Sequence, residues 1–252
     1  MSRARAVRIA APLLGLVAFA VSLSPAGASS SSLACGSGTH GSQGYAYAGL
    51  QSNRTGSGVR ATITALRPPN IAAGHAAGWI GLGGPGAGPN GETMWLQTGI
   101  AALPNTPLML YAEITRPGRE PTFLPLHQDI AIGESHRLAI LEMNHRPSVW
   151  RIWLDGQPVT NPIVLPGSHH RWAPLATAES WNGGTPTCNN FGFRFEHVGI
   201  ARSLGGSWQT FTPGTTIRDR GYTLRQLSPT PTGQRLLTAG APQAYAFDAL
   251  SA

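Results

Sequence analysis

Apolar and polar residues alternate with a period of two along much of this chain, in short runs parted by turn residues. Residues 59–66 (VRATITAL) and 93–103 (TMWLQTGIAAL) alternate in this way, and 44–52 (GYAYAGLQS) alternates aromatic with small residues. AAGWIGLGG (76–84), LMLYAEITRP (108–117), HRLAILEM (136–143) and SVWRIWLDGQPV (148–159) read as further strands, since successive side chains of a strand face opposite ways. FGFRFEHVGIA (191–201) sets Phe191, Phe193 and Phe195 on one face. The breaks are turn signals: Pro68-Pro69, the stretch GPGAGPNGE at 84–92, and Asp155-Gly156, which marks a hairpin. No stretch keeps a helical period with caps, so an all-β sandwich or barrel is expected. Beyond about Gly205 the pattern weakens. SWQTFTPGTTIRDRGYTLRQL (207–227) predicts an edge strand, and residues 228–252, Pro/Thr-rich at their start, predict a weakly ordered tail. The sandwich domain is therefore expected over residues 44–227.

The amino terminus changes the setting. Arg3, Arg5 and Arg8 precede the apolar run AAPLLGLVAFAVSL, and Ala26-Gly27-Ala28 offers a small-residue cleavage site. Residues 1–28 thus read as a secretory signal peptide, and 29–43 as a flexible leader. The apolar run is too short for a comfortable transmembrane helix. Anchoring through Cys35 is disfavoured, because in SLAC the leucine stands two rather than three residues before the cysteine. A secreted protein without a stable membrane anchor is expected, and a monomer. In an exported chain the two cysteines, Cys35 and Cys188, most simply form one disulfide. They are too few for a zinc site and have no histidine at ligand spacing, so no metal is expected.

Charge narrows the partners. The formal net charge is +7 over 252 residues, and every one of the 18 basic residues is arginine. Three of these lie in the signal peptide, leaving 15 against 11 acids, a net charge of +4. The arginines are scattered, which argues against nucleic acid as a partner.

Candidate chemistry centres on two polar residues inside apolar strands. In TMWLQTGIAAL the alternation sets Met94, Leu96 and Thr98 on one face, and Trp95, Gln97 and Gly99 on the other. In TAESW, Thr177, Glu179 and Trp181 share a face. A carboxylate on a concave face tends to a raised pKa, which suits a general acid or base. Each residue also has a structural explanation: a glutamine bonded to a neighbouring strand, and a glutamate paired with Arg171.

The order WIGLGG, LQTG, YAEITRPG and TAESWNGG resembles the eqolisin family of glutamic peptidases, over roughly Gly44 to Ala201. The resemblance implies an all-β, concanavalin A-like (jelly-roll type) antiparallel β-sandwich whose concave face holds the site. It implies Gln97 and Glu179 as the catalytic dyad, 82 residues apart, with Trp79, Trp95, Glu113 and Trp181 as substrate-binding residues. Glu179 would take a proton from water and return it to the leaving amine, while Gln97 positions the water and donates to the oxyanion; no cofactor is implied. The sequence departs from the pattern at Gly83 and Ala101, where the family generally has Asp, at Ile114, where an aromatic is lost, and at Trp181, displaced by one position.

Two other functions fit a sandwich with these residues. Trp150, Trp153, Trp172 and Trp181 would suit a carbohydrate-binding module, since tryptophans stack on pyranose rings. A retaining glycoside hydrolase would need a second carboxyl near Glu179, from Glu113 or Glu142. The expected partner is accordingly a protein or peptide substrate, or a glycan. A serine hydrolase is disfavoured because there is no G-x-S-x-G elbow. His127, His136, His145 and His169-His170 lack an HExxH helix, and surface or supporting positions are expected for them.

Overall fold

A computed structural model describes residues 45–183, 189–219, 221–227 and 245–251, all within the compact unit Leu33–Ala252. The signal peptide, the leader, Cys35 and Cys188 lie outside the described residues.

In chain order the strands are β1 (Tyr45–Ser52), β2 (Gly58–Ala65), β3 (His75–Gly84), β4 (Met94–Ala102), β5 (Leu108–Thr115), β6 (Thr122–Ile130), β7 (Ser135–Glu142) and β8 (Val149–Leu154). Then follow β9 (Gln157–Pro158), β10 (Ile163–Val164), β11 (Leu175–Trp181), β12 (Gly192–Ala201), β13 (Trp208–Thr210), β14 (Pro213–Arg218), β15 (Tyr222–Gln226) and β16 (Tyr245–Ser251). They form two antiparallel sheets, one in the order β14-β1-β11-β3-β4-β5-β6 and one in the order β10-β8-β7-β2-β12-β16-β15, with β9 and β13 at the margins of the second. Among the described residues there is no helix, and none long and apolar enough to cross a membrane. The all-β, two-sheet expectation holds.

The period-two pattern decides what lies between the sheets. From the seven-stranded sheet Ala46, Ala48, Leu50, Ala76, Ile80, Leu96, Ile100, Leu110 and Ala178 point inward. They meet Val59, Ile63, Ile140, Phe193, Phe195 and Phe247 of the second sheet. Large and small residues are matched across the gap: a Cβ on Gly78 would stand 2.6 Å from the Phe193 ring. That core leaves the other face of the seven-stranded sheet to carry Tyr47, Trp79, Gln97, Glu113 and Glu179.

The carboxy-terminal expectation needs correcting. Residues 207–227 supply three strands, not one: β13, then β14 and β15 at the edges of the two sheets. Tyr245–Ser251 is a strand between β12 and β15 rather than part of a weakly ordered tail. The reason is legible in YAFDALS: alternation buries Phe247 and Ala249 in the core. It turns Asp248 to the outer face, where Arg194 (2.8 Å) and Arg225 hold its carboxylate. The pattern reading also passed over β6, an edge strand whose Pro125 costs the sheet no interior hydrogen bond.

Candidate active site on the outer face of the seven-stranded sheet

Three registers position the site. Glu179 on β11 stands opposite Tyr47 of β1 and Ala77 of β3. Gln97 on β4 stands opposite Gly81 of β3 and Glu113 of β5. The intervening row runs from Thr177 through Trp79 and Gly99 to Tyr111. Gly99 is required there, because a Cβ would meet the Gly78 carbonyl oxygen at 2.1 Å and the Trp79 Cβ at 2.6 Å. Gly81 likewise makes room for the Trp79 ring.

The polar groups on this face form two linked sets. The Gln97 Nε2 group donates to the Tyr111 hydroxyl at 3.2 Å and, more weakly, to Glu113 Oε2 at 3.5 Å. The Trp95 indole N–H donates to the other Glu113 oxygen at 3.1 Å. Glu179 is 8% exposed. Its Oε1 lies 3.0 Å from His75 Nε2, and its carboxylate also shares a hydrogen bond with the Tyr47 hydroxyl. Among the described residues no hydrogen bond joins Glu179 directly to Gln97; the charge of Glu179 reaches both Tyr47 and Tyr111.

Burial sets the protonation states. Glu113 is pushed up to about 7, first by burial and then by the charge of Glu179, against the opposing hydrogen bond from Trp95. The Tyr111 and Tyr47 hydroxyls are driven well above their ordinary range by burial and by the Glu179 carboxylate, so both remain proton donors at any working pH. Below about pH 7 the Glu113 carboxyl is therefore largely protonated, and it lies close enough to Glu179 for the two groups to interact.

Aromatic rings frame the site. Tyr45 stacks between Tyr47 (centroids 6.3 Å apart) and Trp181 (5.9 Å), and His75 packs against Trp181 at 5.8 Å. On the far side Tyr111 stacks on Phe123 at 5.1 Å. The floor is apolar: Ala77, Trp79, Ala101, Met109 and Tyr111 cluster beneath the polar groups. Ala101, where the resembling family generally has Asp, thus belongs to the floor.

The structure gathers Gln97, Glu179, Glu113, Trp79, Trp95 and Trp181 on one face. Arg171 does not pair with Glu179; His75 does. Glu142 is not part of the site, since it is buried on β7 of the other sheet with His169 Nδ1 at 2.9 Å. Trp150 and Trp172 are buried and stack on each other at 5.8 Å, so neither is a sugar platform. Among the described residues no group of three His, Cys, Asp or Glu could hold a metal ion.

The sequence reading missed His75, Tyr47, Tyr111 and Asn189. The first three had a signal: His75 is in step with Trp79, Tyr47 with Tyr45, and Tyr111 with Glu113. Asn189 had none. Its buried amide donates to the carbonyls of Ala73 (2.9 Å), His75 (3.1 Å) and Trp181 (3.0 Å), and its oxygen accepts from the Ala72 N–H (3.0 Å). It clasps the start of β3 to the end of β11, which fixes the strand ends that carry His75 and Trp181.

No family model and no curated protein sequence matches the chain. Among solved structures, scytalido-glutamic peptidase with a peptide-based transition state analog aligns over 80% of this chain and 97% of its own, at 14% identity and a TM-score of 0.49. The chain is similar in fold to the eqolisin glutamic peptidases. SCP-B, a member of the eqolisin family of peptidases in a complex with the tripeptide Ala-Ile-His, aligns over 82% of this chain and 98% of its own, at 13% identity and a TM-score of 0.45. The β-glucanase of Bacillus licheniformis aligns over 80% and 68%, at 13% identity and a TM-score of 0.34. These are likenesses of fold, and the roles of the site residues rest on their own geometry.

Proposed function

We propose that this chain is an exported hydrolase of the glutamic peptidase type, in which Gln97 and Glu179 handle the water that attacks a peptide carbonyl. The observation that carries the reading is the company Glu179 keeps. It is a buried carboxylate on an outward sheet face, bonded to His75 and Tyr47, with no arginine ion pair among the described residues. A carboxylate locked to a guanidinium is a structural anion; one held by an imidazole and a phenol is free to accept a proton and give it back.

The steps follow from the donors. With its Nε2 engaged by Tyr111 and Glu113, Gln97 offers Oε1 as the acceptor for one hydrogen of the water. Glu179 takes the other proton as the water oxygen bonds to the carbonyl carbon. Tyr111 receives a hydrogen bond from Gln97, so its own O–H is available to the oxyanion, and burial keeps it protonated. Glu179 then returns its proton to the leaving amine as the C–N bond breaks. The aromatic rim of Tyr45, Trp181 and Phe123 supplies apolar surface for substrate side chains. In this reading the oxyanion donor is Tyr111, where the family resemblance implied the Gln97 amide.

One observation favours a second reading. Glu113, pushed up to about 7 by burial and by the charge of Glu179, is a second carboxyl group near Glu179, and a glycoside hydrolase works with two carboxyl groups. A single experiment tests both: hydrolysis of unfolded casein and of a soluble β-glucan across the acid to neutral range, by the parent, Glu179→Gln, Gln97→Ala and Glu113→Gln. Casein hydrolysis lost in Glu179→Gln and Gln97→Ala supports the peptidase. Glucan hydrolysis lost in Glu113→Gln and Glu179→Gln replaces it with the glycosidase. No hydrolysis of either substrate by well-folded protein overturns both.

A further inference from the structure

On the opposite side of the molecule, the outer face of the nine-stranded sheet carries a groove of about 620 Å³. Its lining includes Arg60, Arg137, Ala139, Trp153, His197 and Trp208. The register explains its shape. Trp153 of β8 stands opposite Ala139 of β7, Ala139 opposite Arg60 of β2, and Arg60 opposite Gly199 of β12. One row further along, Gly58 stands opposite Ala201, and Ala201 opposite Trp208 of β13. Small residues thus make a trough between two tryptophans, each only half-buried. The β12 bulge, where His197 takes a φ of 53°, turns that imidazole out at the groove's edge.

The charge of the groove is one-sided. The Arg60 guanidinium lies 4.7 Å over the Trp208 ring, and neither Arg60 nor Arg137 makes an ion pair with a carboxylate among the described residues. Elsewhere on this sheet Arg194 and Arg225 are neutralised by Asp248. Asp155, the acid beside Arg137, is already engaged by His136 at 3.0 Å and by the Arg137 backbone N–H at 2.8 Å. Glu196 is the acid on the same face of β12, opposite Thr62 rather than opposite either arginine. The Trp153 indole N–H is buried without a hydrogen-bond partner among the described residues, a donor for which the fold supplies no acceptor.

We propose that this groove binds an anionic polysaccharide, a chain of pyranose rings bearing carboxylate or sulfate groups. The flat C–H face of a pyranose packs on an indole, and the acidic substituents match guanidinium forks that make no ion pair among the described residues. An acidic peptide would use the arginines but has no flat ring for the indoles. The groove is separated from the Gln97–Glu179 site by the whole core, so it tethers the protein to a matrix without entering the reaction.

Native affinity electrophoresis tests the proposal, with gels containing polygalacturonate, dextran sulfate, neutral dextran or poly-L-glutamate, and a labelled single-stranded oligonucleotide as a further probe. Retardation by polygalacturonate or dextran sulfate, and not by neutral dextran, is expected, and the two gels distinguish a carboxylate from a sulfate ligand. Trp153→Ala and the pair Arg60→Gln/Arg137→Gln should each weaken it about tenfold. Trp153→Phe, which keeps a ring and the packing, should restore most of it, and Glu179→Gln should leave it unchanged. The proposal is overturned by no retardation in either acidic gel, by equal retardation in poly-L-glutamate that Trp153→Ala does not alter, or by preferential binding of the oligonucleotide.

Discussion

His75 Nε2 lies 3.0 Å from Glu179 Oε1, and the two residues sit on neighbouring strands of the same sheet, β3 and β11, two residues out of register. His75 stands opposite Trp181, and Glu179 opposite Ala77. The imidazole therefore reaches diagonally across the sheet to the carboxylate, packed by Trp181 and Tyr45.

From this contact, His75→Phe should lower kcat on casein by about tenfold while changing KM little, because it removes a charge-assisted hydrogen bond without altering the rim's aromatic bulk. His75→Gln, which can still donate, should recover part of the loss. A steady-state comparison of the three proteins checks this; an unchanged kcat in His75→Phe would make the contact merely structural.

Glu113 gives a pH dependence of stability whose sign is unusual for a carboxylate. Its folded pKa is raised to about 7 from an ordinary 4.5. Between these values the folded protein binds more protons than the unfolded chain, so the contribution is fully present below pH 4.5 and is lost as pH rises through 7. Roughly 2–3 kcal/mol should disappear over that window. Glu113→Gln should abolish this part of the slope, as urea denaturation at several pH values would reveal.

Asp248 has the opposite sign. Burial alone would raise its pKa, but hydrogen bonds and charge from Arg194 and Arg225 bring it below the usual carboxylate range. Its stabilisation is present above the ordinary aspartate value and is lost as pH falls through the depressed one. Asp248→Ala should cost about 2 kcal/mol at neutral pH, and less in strong acid. Thermal unfolding at the two pH values measures the difference.

Asn189→Ala should be among the more damaging single changes outside the core. It strips donors from the Ala73, His75 and Trp181 carbonyls and an acceptor from the Ala72 N–H. A loss of about 2–4 kcal/mol is expected, since buried groups left unpaired lose their full solvation. Activity should fall along with stability, because β3 and β11 are freed at the ends that carry His75 and Trp181. Asn189→Asp, which keeps the acceptor and loses the donors, should lie in between.

Period-two alternation alone marked the strands of the site, β1, β3, β4, β5 and β11, and placed Gln97 with Trp95 and Glu179 with Trp181. It works because a strand has only two faces and a sandwich buries one of them. β16 carries the same signal in its Phe247–Ala249 pair, which follows the Pro/Thr-rich stretch. Register and partnership were left to the tertiary structure. That Glu179 meets His75 and not Arg171, that Glu113 joins the site while Glu142 is buried in the other sheet, and that Tyr111 stands beside Gln97 all depend on which strands become neighbours. Such partners lie far apart in the chain, His75 and Glu179 by 104 residues. A single strand's pattern carries its faces but not its neighbours, because neighbours are chosen by the closing of the whole core.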